Sequence, residues 1–138
     1  MDTKKFLLAS LAVFVAYSVL GYLIHHVILT ADYEPMVGSS IRTMEEFTQR
    51  LPVLYLGNLV FALAFSLIYA HGYEHGKAWL GQGLRYGLFV GTLLAPVAMT
   101  EYVVYPVEGA LALKWILYGY VQLVVCGVAA AVLYQPQK

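Results

Sequence analysis

The chain has 138 residues, 61% hydrophobic and 12% charged, with a mean hydropathy of +0.71; an ordinary soluble domain is about 45–50% apolar and about 25% charged. Formal net charge is zero, so there is no basic footprint for nucleic acid. One cysteine, Cys126, excludes an internal disulfide and a Cys-x-x-Cys redox pair.

The apolar residues fall in four long runs, which is how a bilayer-spanning chain reads. The expected fold is all-α: an integral membrane four-helix transmembrane bundle, a single domain over residues 1–138, with spans at about 5–29, 52–71, 82–106 and 111–134. The first span opens on Lys4 and Lys5. Its apolar run, Phe6 to Ile24, is 19 residues, longer than the about 7–15 of a signal peptide core. His25-His26 follows where a small-residue cleavage site would stand, so a retained helix is expected. Ser18, Tyr22 and His25 share one helical face, and His26 is one turn from Tyr22. Residues 30–50 form the one long polar connection. Asp32, Pro35 and Gly38 interrupt structure there, and Thr43-x-x-Glu46 has the form of a capping box. Ile41, Met44, Phe47 and Leu51 recur at helical spacing, which predicts a short amphipathic surface helix over 41–51 in this first loop, resting on the bundle or on lipid.

In the second span Pro52 suits a first helical turn, Asn58 is the buried polar residue, and Ala62, Ser66 and Ala70 make a small-residue face. A Gly-rich turn over 72–81 leads to the third span. That span carries Gly83, Gly87, Gly91 and Ala95, then Pro96, which frees the carbonyl of Thr92, then Glu101. Small residues let helices approach closely, so the third span is expected at the centre of the bundle. The stripes serve packing within the bundle or association with another helix. The fourth span begins with Lys114 and Trp115, holds Gln122 and closes on Tyr134. With both termini cytoplasmic, Lys4, Lys5, Lys77, Arg85 and Lys138 fall inside and Arg42, Arg50 and Lys114 outside, five against three in favour of an N-in, C-in arrangement. Spans two and four echo each other (Leu-Tyr, an amide at Asn58 or Gln122, a closing Tyr), as two equivalent hairpins would.

The candidate site lies in the outer half. Tyr22, His25, His26, Asn58, Glu101, Lys114 and Tyr118 come from all four spans at similar depth, with Tyr55 and Tyr105 near them. Ionisable groups in a span are costly and pair inside the bundle, and a His–Glu101 contact between spans one and three is the sharpest pairing to expect. The competing reading is interfacial: Arg85 to Glu101 spans roughly 24 Å of helix against a hydrocarbon core of about 30 Å. At the inner end, His71-Gly-Tyr-Glu74-His75 matches the H-x-x-E-H metalloprotease pattern. Gly72 and Gly76 break the helix that this chemistry needs, and no metal is expected. No cofactor is expected either. Haem held by two histidines needs them on different helices at one depth, and this chain places its outer pair on span one and its inner pair at the end of span two.

The segments GYLIHHVIL, LGNLVFALAFSLIYAHGYE and GQGLRYGLFVG resemble those of small uncharacterised four-span inner-membrane proteins of bacteria. The resemblance implies bacterial origin, the inner membrane and the four-span layout, and no activity. The expected function is non-enzymatic, through helix–helix contacts as a homo-oligomer or an accessory subunit of a larger membrane complex, with membrane lipids and another membrane protein as partners. The alternatives are a small polar ligand or proton-linked binder or transporter using the outer cluster, and, with least support, a lipid- or quinone-modifying enzyme.

Overall fold

The computed structural model describes residues 2–135. Among them no strand forms; the chain is helical, with one isolated bridge between Val37 and Ile41. Helix α1 spans Thr3–Tyr22 and continues as a π-helical turn, Leu23–Ile28. A single-turn α2 (Thr30–Tyr33), a 3-10 turn (Glu34–Met36) and α3 (Met44–Thr48) lie in the long connection. Then come α4 (Leu51–His71), α5 (Trp79–Val104) and α6 (Gly109–Leu133). Four helices are therefore long and apolar enough to cross a membrane, the make-up of a multi-pass membrane protein.

Local signals explain the ends. The Asp2 carboxylate accepts from Lys5 N at 3.1 Å and caps α1. Pro52 stands in the first turn of α4, where a missing N–H is harmless. Helix α5 runs unbroken through Pro96. The predicted helix over 41–51 is shorter than its apolar spacing suggests. Both halves of the Thr43–Glu46 capping box are present, but α3 covers only Met44–Thr48. Ile41 is drawn into the bridge with Val37, and Leu51 already opens α4.

The long helices pack in the order α4–α1–α6–α5, with α4 touching α6 only marginally. The centre is thus shared by α1 and α6, and α5, expected at the core, stands at an edge. The reason is how many faces each helix has for close approach. On α5, Gly83, Gly87 and Gly91 all point at α6. A Cβ at Gly87 would lie 2.5 Å from the Leu123 carbonyl oxygen, and one at Gly127 would lie 2.3 Å from that of Gly83. Helix α6 offers a second face as well: Gln122 Nε2 donates to the Tyr17 carbonyl of α1 at 2.8 Å, with fully buried Cys126 one turn on. In lipid, association comes from such close contact rather than from hydrophobicity.

Both described chain ends lie at one end of the molecule. Lys5 Nζ donates to the Gln135 carbonyl, and Tyr73, in the 72–78 turn, packs on Tyr134 with ring centroids 5.8 Å apart. At the opposite end lie residues 29–50 and the short link 105–108. A twofold relation between equivalent hairpins would pair α4 with α5 as α1 pairs with α6. Instead α4 and α5 meet locally, through Phe65, Tyr69 and Tyr86, and are separated elsewhere by an apolar cleft.

Candidate functional site

At the end opposite the termini, the first connection folds back onto the mouths of α1 and α6. Lys114 sits in the second turn of α6, and its ammonium reaches Asp32 Oδ1 at 2.6 Å and Oδ2 at 2.9 Å. Beside this ion pair, Trp115 Nε1 donates to the Tyr33 hydroxyl at 2.7 Å, and Tyr33 lies 2.7 Å from His25 Nδ1. Indole nitrogen only donates. Tyr33 oxygen therefore accepts from Trp115, and the same hydroxyl is hydrogen-bonded to His25 Nδ1. Burial pushes the Tyr33 phenol up, with the Asp32 and Glu101 carboxylates adding to the rise and the bond from Trp115 opposing it. Under this latch, Ile24, Leu29 and Leu111 form a small core, with Trp115 and Tyr118 packed against it.

The π-helical turn is what aims these groups. An extra residue per turn rotates the end of α1, and π-bulges are frequent at functional positions. His25 turns to Tyr33, their rings stacked at 5.9 Å. His26 turns the other way, stacking on Tyr22 at 5.3 Å and meeting Phe47 of α3 at 4.8 Å.

The nominated residues thus separate into groups. His25 and Lys114 enter the latch and Tyr118 the core beneath it. Tyr22 and His26 form an aromatic pair that touches α3, with Tyr22 itself exposed. Asn58 Nδ2 donates to Ser18 Oγ at 3.1 Å, tying α4 to α1. Glu101 is exposed; its backbone carbonyl accepts from Tyr105 N at 2.8 Å, and its carboxylate has no hydrogen bond or ion pair among the described residues. The expected His–Glu101 contact does not form, because α6 stands between α1 and α5 and His25 is engaged by Tyr33. The small-residue sets lie inside the chain: Gly83, Gly87 and Gly91 are buried, Ala62 and Ser66 are buried, and Ala70 and Ala95 are half-buried.

Asp32, Tyr33 and Trp115 were not among the nominated residues. One signal pointed to Asp32: Lys114 near the start of an apolar span requires a counter-ion, and Asp32 is an acid in the connection expected on the same side. At the other end, Glu74 bonds Lys77 and receives Arg85 Nη2 at 2.7 Å, and Gln82 closes the turn by accepting from Glu74 N at 2.8 Å. His71 ends α4 and is capped by Gly72. No group of three or more metal-ligating side chains gathers among the described residues.

Compared with known protein families, curated proteins and solved structures, the chain matches none.

Proposed function

We propose that this chain is a non-enzymatic multi-pass protein of a bacterial cytoplasmic membrane, with both termini inside, that acts through helix contacts as a homo-oligomer or as an accessory subunit of a larger membrane complex. One observation carries the reading. Glu101 stands on an exposed flank of the edge helix α5, one turn from its C-terminal end, its carboxylate without a hydrogen bond or a cationic partner among the described residues. A carboxylate at a helix C-terminus is opposed by the helix dipole, and one at the end of a membrane span calls for a counter-charge. A cation on a neighbouring helix from another chain supplies it. Of the outer polar groups that a ligand binder would aim into a chamber, His25 and Lys114 are instead bonded to the first connection and Asn58 to Ser18 of α1. The orientation rests on the five-to-three distribution of Lys and Arg.

The test is native mass spectrometry of the chain extracted from its own membranes into lipid nanodiscs. A multiple of the chain's mass, or a complex with another membrane protein, is expected, and Glu101→Gln should reduce it. A clean monomer that stays active and stable overturns the proposal. Intact assembly with lost uptake or binding of a small polar ligand in Glu101→Gln would favour the proton-linked reading instead.

A further inference from the structure

Helices α4 and α5 converge near the end that carries the termini. There the Tyr86 hydroxyl donates to the Phe65 carbonyl at 2.7 Å and the two rings meet edge to face at 4.6 Å. Around and beyond this contact they enclose a cleft of about 230 Å³, lined among others by Phe61, Ala64, Ile68, Phe89 and Leu93. Ile68, Phe89 and Leu93 are 61%, 63% and 60% exposed, so the cleft opens sideways to the membrane. Its walls offer hydrocarbon and aromatic faces, which excludes a polar guest. An apolar cavity of about 150 Å³ is enough to take up benzene, so this volume admits a stretch of acyl chain.

The mouth of the cleft at the terminal end is different in kind. Arg85 lies one turn before Phe89 on α5, and His71 one turn after Ile68 on α4. Arg85 gives one of its five N–H donors to Glu74, and its side chain is 64% exposed. Lys77 shares the same carboxylate. Two permanent cations therefore share one anion, a net positive cluster beside the terminal end of the hydrocarbon slot. Basic pockets between membrane helices capture anionic lipid headgroups in this way.

The geometry points to a binding site for one anionic phospholipid of the leaflet that the 72–78 turn faces, its tail in the α4/α5 cleft and its phosphate on Arg85, with Lys77 and His71 beside it. The site is at the far end of the membrane from Glu101 and does not depend on what that residue binds.

The full chain is reconstituted in nanodiscs of phosphatidylglycerol or of phosphatidylcholine and released in the mass spectrometer. One retained phosphatidylglycerol per chain is expected, favoured over phosphatidylcholine about fivefold, the factor corresponding to the ~1 kcal/mol that one basic residue contributes. Arg85→Gln should erase the preference and Arg85→Lys should keep it. Ala64→Trp, which fills the cleft, should lose retained lipid of either headgroup; Leu93→Trp takes its place if Ala64→Trp loses its helical circular dichroism. Equal retention of both lipids by the unmodified chain overturns the site, as does undiminished phosphatidylglycerol on the cleft-filled variant. A dimer that the cleft-filling change splits without altering lipid retention assigns the cleft to a second copy and also overturns it.

Discussion

Tyr33 is a single hydroxyl that serves two elements at once, accepting from Trp115 of α6 and hydrogen-bonded to His25 Nδ1 at the end of α1. Tyr33→Phe keeps the ring and removes that hydroxyl, leaving a half-buried indole N–H and an imidazole nitrogen unpaired. An unsatisfied group of this kind costs about 1–3 kcal/mol, so the variant should unfold at lower temperature in detergent, with a changed Trp115 emission as the local readout. Asp32→Asn should act on the neighbouring contact, because Lys114 then loses its charge partner; partial exposure holds the cost near or below about 1 kcal/mol. Two exposed carboxylates give a pH dependence with a definite sign. The backbone N–H of Thr43 holds Glu46 below the usual carboxylate range, and Lys77 and then Arg85 do the same for Glu74. Both folded values are depressed, so their contribution is present above the ordinary Glu value of about 4.3 and is lost as pH falls through the folded values. Amide exchange at 44–48 and 74–77, compared between pH 6 and pH 3 or roughly there, should accelerate in acid beyond its intrinsic pH trend. Of these residues, the capping box was legible from spacing alone, because Thr and Glu three apart is a local pattern. The Tyr33 relay joins residues 82 apart in sequence, and no local pattern encodes that.

Among the elements, the α5–α6 pair is the one most dependent on the absence of side chains. A Cβ at Gly87 would meet backbone atoms of Leu123 and Val124 at 2.5 Å, whereas one at Gly119 meets nothing within 4 Å. Gly87→Ala should therefore destabilise the fold by about 1–3 kcal/mol, the usual cost of overpacking, while Gly119→Ala leaves it unchanged or slightly firmer. Detergent unfolding of the two variants side by side checks this, and equal behaviour would remove the close-packing account. The periodicity of small residues marks a packing face on α5. It did not say which helix would occupy that face, since Gly83, Gly87 and Gly91 suit any neighbour that can come close. The π-helical turn at Leu23–Ile28 was not legible at all: His25-His26 reads as a continuation of α1, and the extra residue per turn is held by contacts with Tyr33 and Phe47 from the connection.

At the level of the whole molecule, α4 and α5 touch locally near the terminal end, through Phe65 and Tyr86, and are otherwise parted by the cleft. The molecule's orientation can be read directly. With Cys126 buried and shielded, a cysteine introduced at Ser39 should react with a membrane-impermeant maleimide on intact cells, and one at Gly76 only after lysis; the reverse pattern would invert the proposed topology. Four apolar runs, their lengths and the polar connection between the first two were determined by the amino-acid sequence, because helix length and hydrocarbon thickness are matched one residue at a time along the chain. Which helices are neighbours was decided only by the tertiary structure. Hydrophobicity does not discriminate between partners in lipid; shape does, and the two-sided fit of α6 against Gly83, Gly87 and Gly91 on one flank and Tyr17 on the other exists only once three helices stand together. For that reason Glu101, expected opposite a histidine, faces outward on an edge helix, and Lys114 finds its counter-ion in the connection.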